Sequence, residues 1–173
     1  FFYYFPKYYP KNIKTNYSLS TLRNKVHNKT ALQKSMALDT NADVPVIGMV
    51  TRLTKQKGFD LFYDVVNQIS DLPMQLVVLG TGAEEYENLM RGWEHSRHDK
   101  VRGIIKFSSE IASQIYAGAD MFLMPSKSEP CGLSQMIAMR YGTIPIVHTV
   151  GGLVDTVQPY NPSTKEGTGI TFQ

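Results

Sequence analysis

A chain of 173 residues with 42% hydrophobic and 19% charged residues has the composition of one globular domain with a full core. A formal net charge of +3, with basic residues scattered apart from a mildly basic stretch at 7–34, gives no reason to expect nucleic acid as a partner. No apolar run approaches the roughly 20 residues that span a bilayer, and one cysteine with four scattered histidines offers neither a disulfide nor metal-ligand spacing.

The chain opens on Phe1 rather than Met and carries no charged region followed by a long apolar one. It therefore reads as a piece of a larger protein, and the expected compartment is the reducing cytoplasm of a bacterium, with no membrane partner. Residues 1–18 are rich in Tyr, Phe, Pro and Lys without a period, an irregular approach segment. Ser20 is predicted to cap a short helix to about residue 28, and Asn28-Lys29-Thr30 to precede a second helical run over 31–38. The polar stretch 39–43 then links this approach segment (1–43) to an α/β body (44–173).

From Val44 onward strands and helices alternate. Strands are predicted at 46–50, 75–80, 104–107, 121–124, 144–147 and 169–172. Helices are predicted at 59–69, 83–94, 109–117, 132–141 and 153–157. The first is amphipathic, with Phe59, Phe62, Tyr63, Val66 and Ile69 at helical spacing. This alternation implies a Rossmann-like parallel six-stranded sheet with helices on both faces and right-handed crossovers. Ligands of such sheets gather outside the carboxyl ends of the strands. Trp93, His95 and His98 read as surface, Cys131 as a small buried residue, and Met121, Met124, Met136 and Met139 as core.

Four strand ends carry distinctive residues. Ser126-Lys127-Ser128-Glu129-Pro130-Cys131-Gly132-Leu133-Ser134-Gln135 puts a carboxylate where a strand ends and a Gly-Leu-Ser turn where the next helix opens. A helix start suits phosphate and a carboxylate suits hydroxyls, which together describe a nucleotide-sugar. The plain alternative is an ordinary βα turn with a surface Glu. Arg52 and Lys57, after the first strand, have the charge to neutralise a diphosphate, or form a solvated basic loop. Gly80-Thr81-Gly82 lets a base or ribose approach the backbone, or is a turn that geometry requires. Glu85 stands where the dinucleotide fingerprint has its third glycine, so a nicotinamide reading is weak. Gly151-Gly152 admits a sugar or phosphate beside bare amides, or again only turns.

Taken in order, Thr51-Arg52-Leu53-x-x-Gln56-Lys57-Gly58, Leu79-Gly80-x-Gly82, Ala117-Gly118-Ala119-Asp120, Pro125-Ser126-x-x-Glu129-Pro130-Cys131-Gly132-Leu133, Tyr141-Gly142-Thr143-x-Pro145 and Gly151-Gly152-Leu153-x-Asp155-Thr156-Val157 closely resemble the C-terminal domain of bacterial glycogen synthases and plant starch synthases. These are retaining glucosyltransferases of the two-domain GT-B fold. The resemblance implies ADP-glucose as donor, the non-reducing end of an α-1,4-glucan as acceptor, and no metal or other cofactor. It assigns Arg52 and Lys57 to the diphosphate and the leaving ADP, and Glu129 to the glucose hydroxyls. Cys131, Gly132, Leu133 and Ser134 would meet the donor with backbone amides and a hydroxyl. Gly80, Thr81, Gly82, Ile105 and Phe107 would border adenine and ribose, with Gly151 and Gly152 beside the sugar. Ile137 stands where the wider superfamily often has a second Glu, and Val150 where a small polar residue is expected. An N-terminal domain would supply the acceptor side, so the piece alone is expected to bind donor weakly and not to turn over. Two other readings remain: a UDP-sugar-dependent enzyme of the same fold, which donor competition tests, and a non-catalytic nucleotide- or glucan-sensing module, which the parent reading frame tests.

Overall fold

The computed structural model describes residues 12–173. Ser18 opens a 3-10 turn, Leu19–Asn24, its amide donating to Thr21 Oγ1 at 2.9 Å. It runs directly into one helix, α1 (Lys25–Ser35). The predicted cap at Ser20 and the predicted break at 28–30 are thus corrected. Asn28 and Lys29 are buried inside the helix rather than breaking it, because their polar ends find partners. The Asn28 amide exchanges hydrogen bonds with the backbone of Thr15, and Lys29 Nζ donates to Ala42 O at 2.7 Å and pairs with Asp120 at 2.8 Å. The approach segment is docked on the body from Tyr17 onward, whose hydroxyl donates to Tyr141 O at 2.7 Å; residues 1–11, expected to be irregular, lie outside the described residues.

The body alternates as β1 (Val46–Val50), α2 (Asp60–Asp71), β2 (Gln75–Leu79), α3 (Glu84–Ser96), β3 (Val101–Ile104), α4 (Ser109–Gly118), β4 (Met121–Met124), α5 (Ser134–Arg140), β5 (Ile144–His148), α6 (Gly152–Thr156) and β6 (Ile170–Phe172). The six strands form one sheet in the order β3-β2-β1-β4-β5-β6, every pair parallel. Successive side chains of a strand point to opposite faces. In β2, Val77 and Leu79 enter one core with Leu32, Ile115, Phe122 and Leu153, while Leu76 and Val78 enter another with Phe59, Phe62, Met90 and Trp93. The first core is covered by α1, α4, α5 and α6, the second by α2 and α3. A strand buried on both faces reads as a near-continuous apolar run, as Leu76–Leu79 does, and the buried Gln75 that opens β2 is hydrogen-bonded to Gln33 and to Asp39 O.

Two sequence expectations shift. The third strand is Val101–Ile104, three residues before the predicted start, and pairs with Leu76–Leu79. Arg102 lies within this strand and is buried, its guanidinium donating to the carbonyls of Met36 (2.5 Å), Ala37 (2.6 Å) and His98 (2.6 Å). A fully bonded cation is tolerated in a protein interior where an unpaired one is not. Trp93 is also buried, at 3% exposure, its indole N–H donating to Ser70 Oγ at 2.7 Å, while His95 and His98 are exposed as expected.

Lys25 ties α1 to the body, its ammonium donating to Ala117 O (2.7 Å), Tyr116 O (3.3 Å) and Thr143 Oγ1 (2.7 Å). Burial pulls its pKa down from 10.5 to about 8, against the attraction of Asp120. Between those two values the unfolded chain holds a proton that the native state has released, so stability rises with pH across that window, by up to about 3 kcal/mol. Burial raises the hydroxyls of Tyr17, Tyr116 and Tyr141, so above about pH 10 the unfolded tyrosines ionise first and stability falls again. Urea melts from pH 7 to 10.5 are expected to show the rise in the native chain and not in Lys25→Met. Equal pH dependence in the two would remove Lys25 as its source.

Candidate active site

Strands β1 and β4 are neighbours at the point where strand order reverses, so the chain leaves their carboxyl ends in opposite directions and a crevice opens between. A cavity of about 180 Å³ lies there, lined from the β1 side by Thr51, Arg52 and Lys57 and from the β4 side by Pro125, Ser126, Glu129, Gly132, Leu133 and Ser134.

The loop after β1 makes a 3-10 turn, Lys55–Lys57, and ends at Gly58 with a left-handed φ of 82°. Gly58 lies against the Pro125 carbonyl so closely that a Cβ would sit 2.1 Å from the oxygen. Lys127 N donates to Gln56 O at 2.9 Å, and the Lys127 ammonium pairs with Asp60, holding that carboxyl below the usual range. These contacts zip the β1 and β4 loops together. The result is an ion pair across the crevice, Lys57 Nζ to Glu129 Oε2 at 2.5 Å, with side chains only 18% and 11% exposed. Ser126 Oγ donates to the same carboxylate oxygen at 3.1 Å. Arg52 is exposed at the rim, and its guanidinium has no hydrogen bond or ion pair among the described residues.

The loop before α5 is held from beneath. Gln135 is fully buried, and its Nε2 donates to Gly132 O and Thr156 Oγ1, both at 3.0 Å. Thr156 Oγ1 donates to Gly152 O at 2.7 Å, and Gly152 N donates to Glu129 O at 2.9 Å. This network fixes the conformation of the loop that carries Gly132, Leu133 and Ser134 along the cavity wall.

Of the residues singled out in the sequence, Arg52, Lys57, Glu129, Gly132, Leu133 and Ser134 meet at the cavity. The others do not line it. At Gly80 and Gly82 a Cβ would lie 1.8 Å from Thr51 O and 1.9 Å from Leu53 O, so close backbone approach to the loop bearing Arg52 accounts for both glycines. Leu53 N accordingly donates to the carbonyl of Thr81, the residue between them, at 2.9 Å. Gly151 and Gly152 press likewise on the carbonyls of Glu129 and Cys131, and the Gly152 amide is already spent on Glu129 O, so it is not a bare donor. Ile105 is half-buried and packs on the α2/α3 core, because the strand ends at Ile104. Phe107, beyond that end, is 92% exposed on the same edge of the sheet. Cys131 is exposed rather than buried, since the turn at Gly132 (φ 65°) lifts it away from the core. The sequence reading assigned no role to Ser126, Gln135, His148 or Thr156. The Ser126-x-x-Glu129 spacing was a usable signal for the first; nothing in the sequence pairs Gln135 with Thr156.

The family model for glycosyl transferases group 1 matches residues 33–172. The chain belongs to this family. The glycogen synthase of Ligilactobacillus salivarius is 54% identical over 162 residues, which are 94% of this chain and 34% of that protein. The glycogen synthase of Thermotoga maritima is 50% identical over 161 residues, 93% of this chain and 33% of that protein. This glycosyl transferase chain thus spans about a third of the length of the curated relatives it matches. Among solved structures, the catalytic domain of starch synthase IV from Arabidopsis thaliana, bound to ADP and acarbose, superposes with a TM-score of 0.85 at 37% identity, covering 95% of this chain and 35% of that one. The expected sheet architecture and the family resemblance are both borne out.

Proposed function

We propose that this chain is the donor-binding part of a cytoplasmic glycogen synthase, which transfers glucose with retention from ADP-glucose to the non-reducing end of an α-1,4-glucan. The observation that carries the reading is the convergence of Arg52, Lys57 and Glu129 on one small cavity at the switch point. The glycogen synthase relatives and the likeness to an ADP-bound starch synthase support it.

The chemistry follows from the geometry. Departure of ADP builds negative charge on its β-phosphate. Lys57, held in place by its turn, and Arg52, free at the rim, are cations placed to stabilise that charge without a metal. Glu129 accepts hydrogen bonds from sugar hydroxyls, which position the anomeric carbon. The 132–134 turn offers backbone to the donor. Phe107 presents an exposed ring to the base, and the rest of the parent, its N-terminal domain, supplies the acceptor side.

Amide-shift titration of the chain with ADP, UDP and ADP-glucose tests the reading. Shifts centred on Arg52, Lys57, Phe107 and 132–134, larger with ADP than with UDP, are expected. Phe107→Ala is expected to weaken ADP about tenfold through lost base stacking. No shifts at millimolar ADP, or a preference for UDP, would overturn the ADP-glucose assignment.

A further inference from the structure

We infer that Ser126 is a positioning residue that sets which oxygen of Glu129 is offered to the donor sugar. The inference rests on the donor-site reading above. Glu129 Oε2 receives two donors from the protein, Lys57 Nζ at 2.5 Å and Ser126 Oγ at 3.1 Å. Oε1 has no hydrogen-bond partner among the described residues and is not sealed from solvent. One carboxylate oxygen is therefore used to anchor the group, and the other is left to accept from ligand hydroxyls.

Lysine alone does not set this division. An ammonium on a flexible stem is a point charge that pairs equally well with either carboxylate oxygen. The serine adds direction, and it is itself rigidly placed. Ser126 is 2% exposed, and its own carbonyl hydrogen-bonds to His148 Nδ1 at 2.9 Å. The His148 ring in turn stacks on Phe172, with centroids 5.6 Å apart and 19° between planes. Strands β5 and β6 thus brace the point from which the hydroxyl reaches Glu129. His148 fixes the backbone, Ser126 fixes the carboxylate, and the carboxylate faces the sugar.

A ligand without a sugar meets Lys57 and Arg52 but has no use for the aim of Glu129. Ser126→Ala is therefore expected to lower ADP-glucose affinity of the chain about tenfold while ADP affinity changes less than twofold. Ser126→Thr, which keeps a hydroxyl, should recover most of the loss. In a Glu129→Ala background the Ser126→Ala change should have no further effect, because the serine acts only through that carboxylate. Calorimetric titration of the four variants and the parent chain reads all of this. Equal losses for ADP and ADP-glucose, or an undiminished Ser126→Ala effect without Glu129, would show a merely structural role and overturn the inference. Failure of the unaltered chain to bind ADP at all would instead bring down the donor-site reading, and the inference with it.

Discussion

Replacing Lys57 by Ala is expected to lower kcat of the full-length parent, assayed with ADP-glucose and glycogen, by about three orders of magnitude. Two losses combine. The first is a preorganised cation aimed at charge that develops as the nucleotide leaves; removing one such donor from an active site typically costs about 10²–10³ in kcat. The second is the partner of Glu129, whose carboxylate is 11% exposed and would keep only the Ser126 hydroxyl. Breaking a partly buried ion pair leaves this carboxylate without its anchor, so it moves, and its bonding to sugar hydroxyls is spoiled. The loss should fall on kcat more than on KM, since the charge is greatest in the transition state. Lys57→Arg should recover little, because the turn ending at Gly58 leaves the loop no freedom to seat a longer, planar group. A Lys57→Ala enzyme within tenfold of the native rate would remove Lys57 from the chemistry.

Gly58→Ala is expected to produce a large loss of stability. At φ 82° an alanine pays the left-handed penalty of about 1–2 kcal/mol. The greater cost is steric. The new Cβ would sit 2.1 Å from the Pro125 carbonyl oxygen, and both partners are backbone, so no rotamer change relieves the contact. The β1 and β4 loops must separate, which strains the Lys127–Gln56 backbone hydrogen bond and the Asp60–Lys127 and Lys57–Glu129 pairs. A total above about 3 kcal/mol, or roughly 10 °C in Tm for a chain of this size, is the expected outcome. ADP binding should weaken with it. A melting temperature within 2 °C of the native chain would mean that the loops are not locked at Gly58.

Repetition made most of the architecture legible. Strands β1 and β2 are short apolar runs and α2 and α3 repeat apolar residues at helical spacing, so the β1–α2–β2–α3 succession is visible in residues 46–96 without any contact being known. The misplaced third strand shows where this signal ends. Ile104-Ile105-Lys106-Phe107 has the more strand-like composition, but Val101–Ile104 is the segment paired with β2. Arg102 belongs in that strand only because three carbonyls from residues 36, 37 and 98 surround it, and such contacts have no local signature. The surface expectation for Trp93 fails for a similar reason: its face of α3 is decided by what α2 presents to it, including the Ser70 hydroxyl.

For the site, the order of residues along the chain is enough to name the available chemistry: Arg52 and Lys57 after the first strand, a carboxylate and a glycine turn after the fourth, in an order that matches one family. Those choices are local, since a residue type and its place at a strand end are properties of a few neighbours. Which of these residues share the cavity depends on packing between distant segments. Lys57 and Glu129 are 72 positions apart and meet because parallel crossovers place β1 beside β4. The same packing turned Gly80, Gly82, Gly151 and Gly152 into backbone clearances, and brought Ser126, Gln135, Thr156 and His148 beneath the loops. A clearance or a buried hydrogen bond is a relation between distant segments, and it exists only once the sheet has set them side by side.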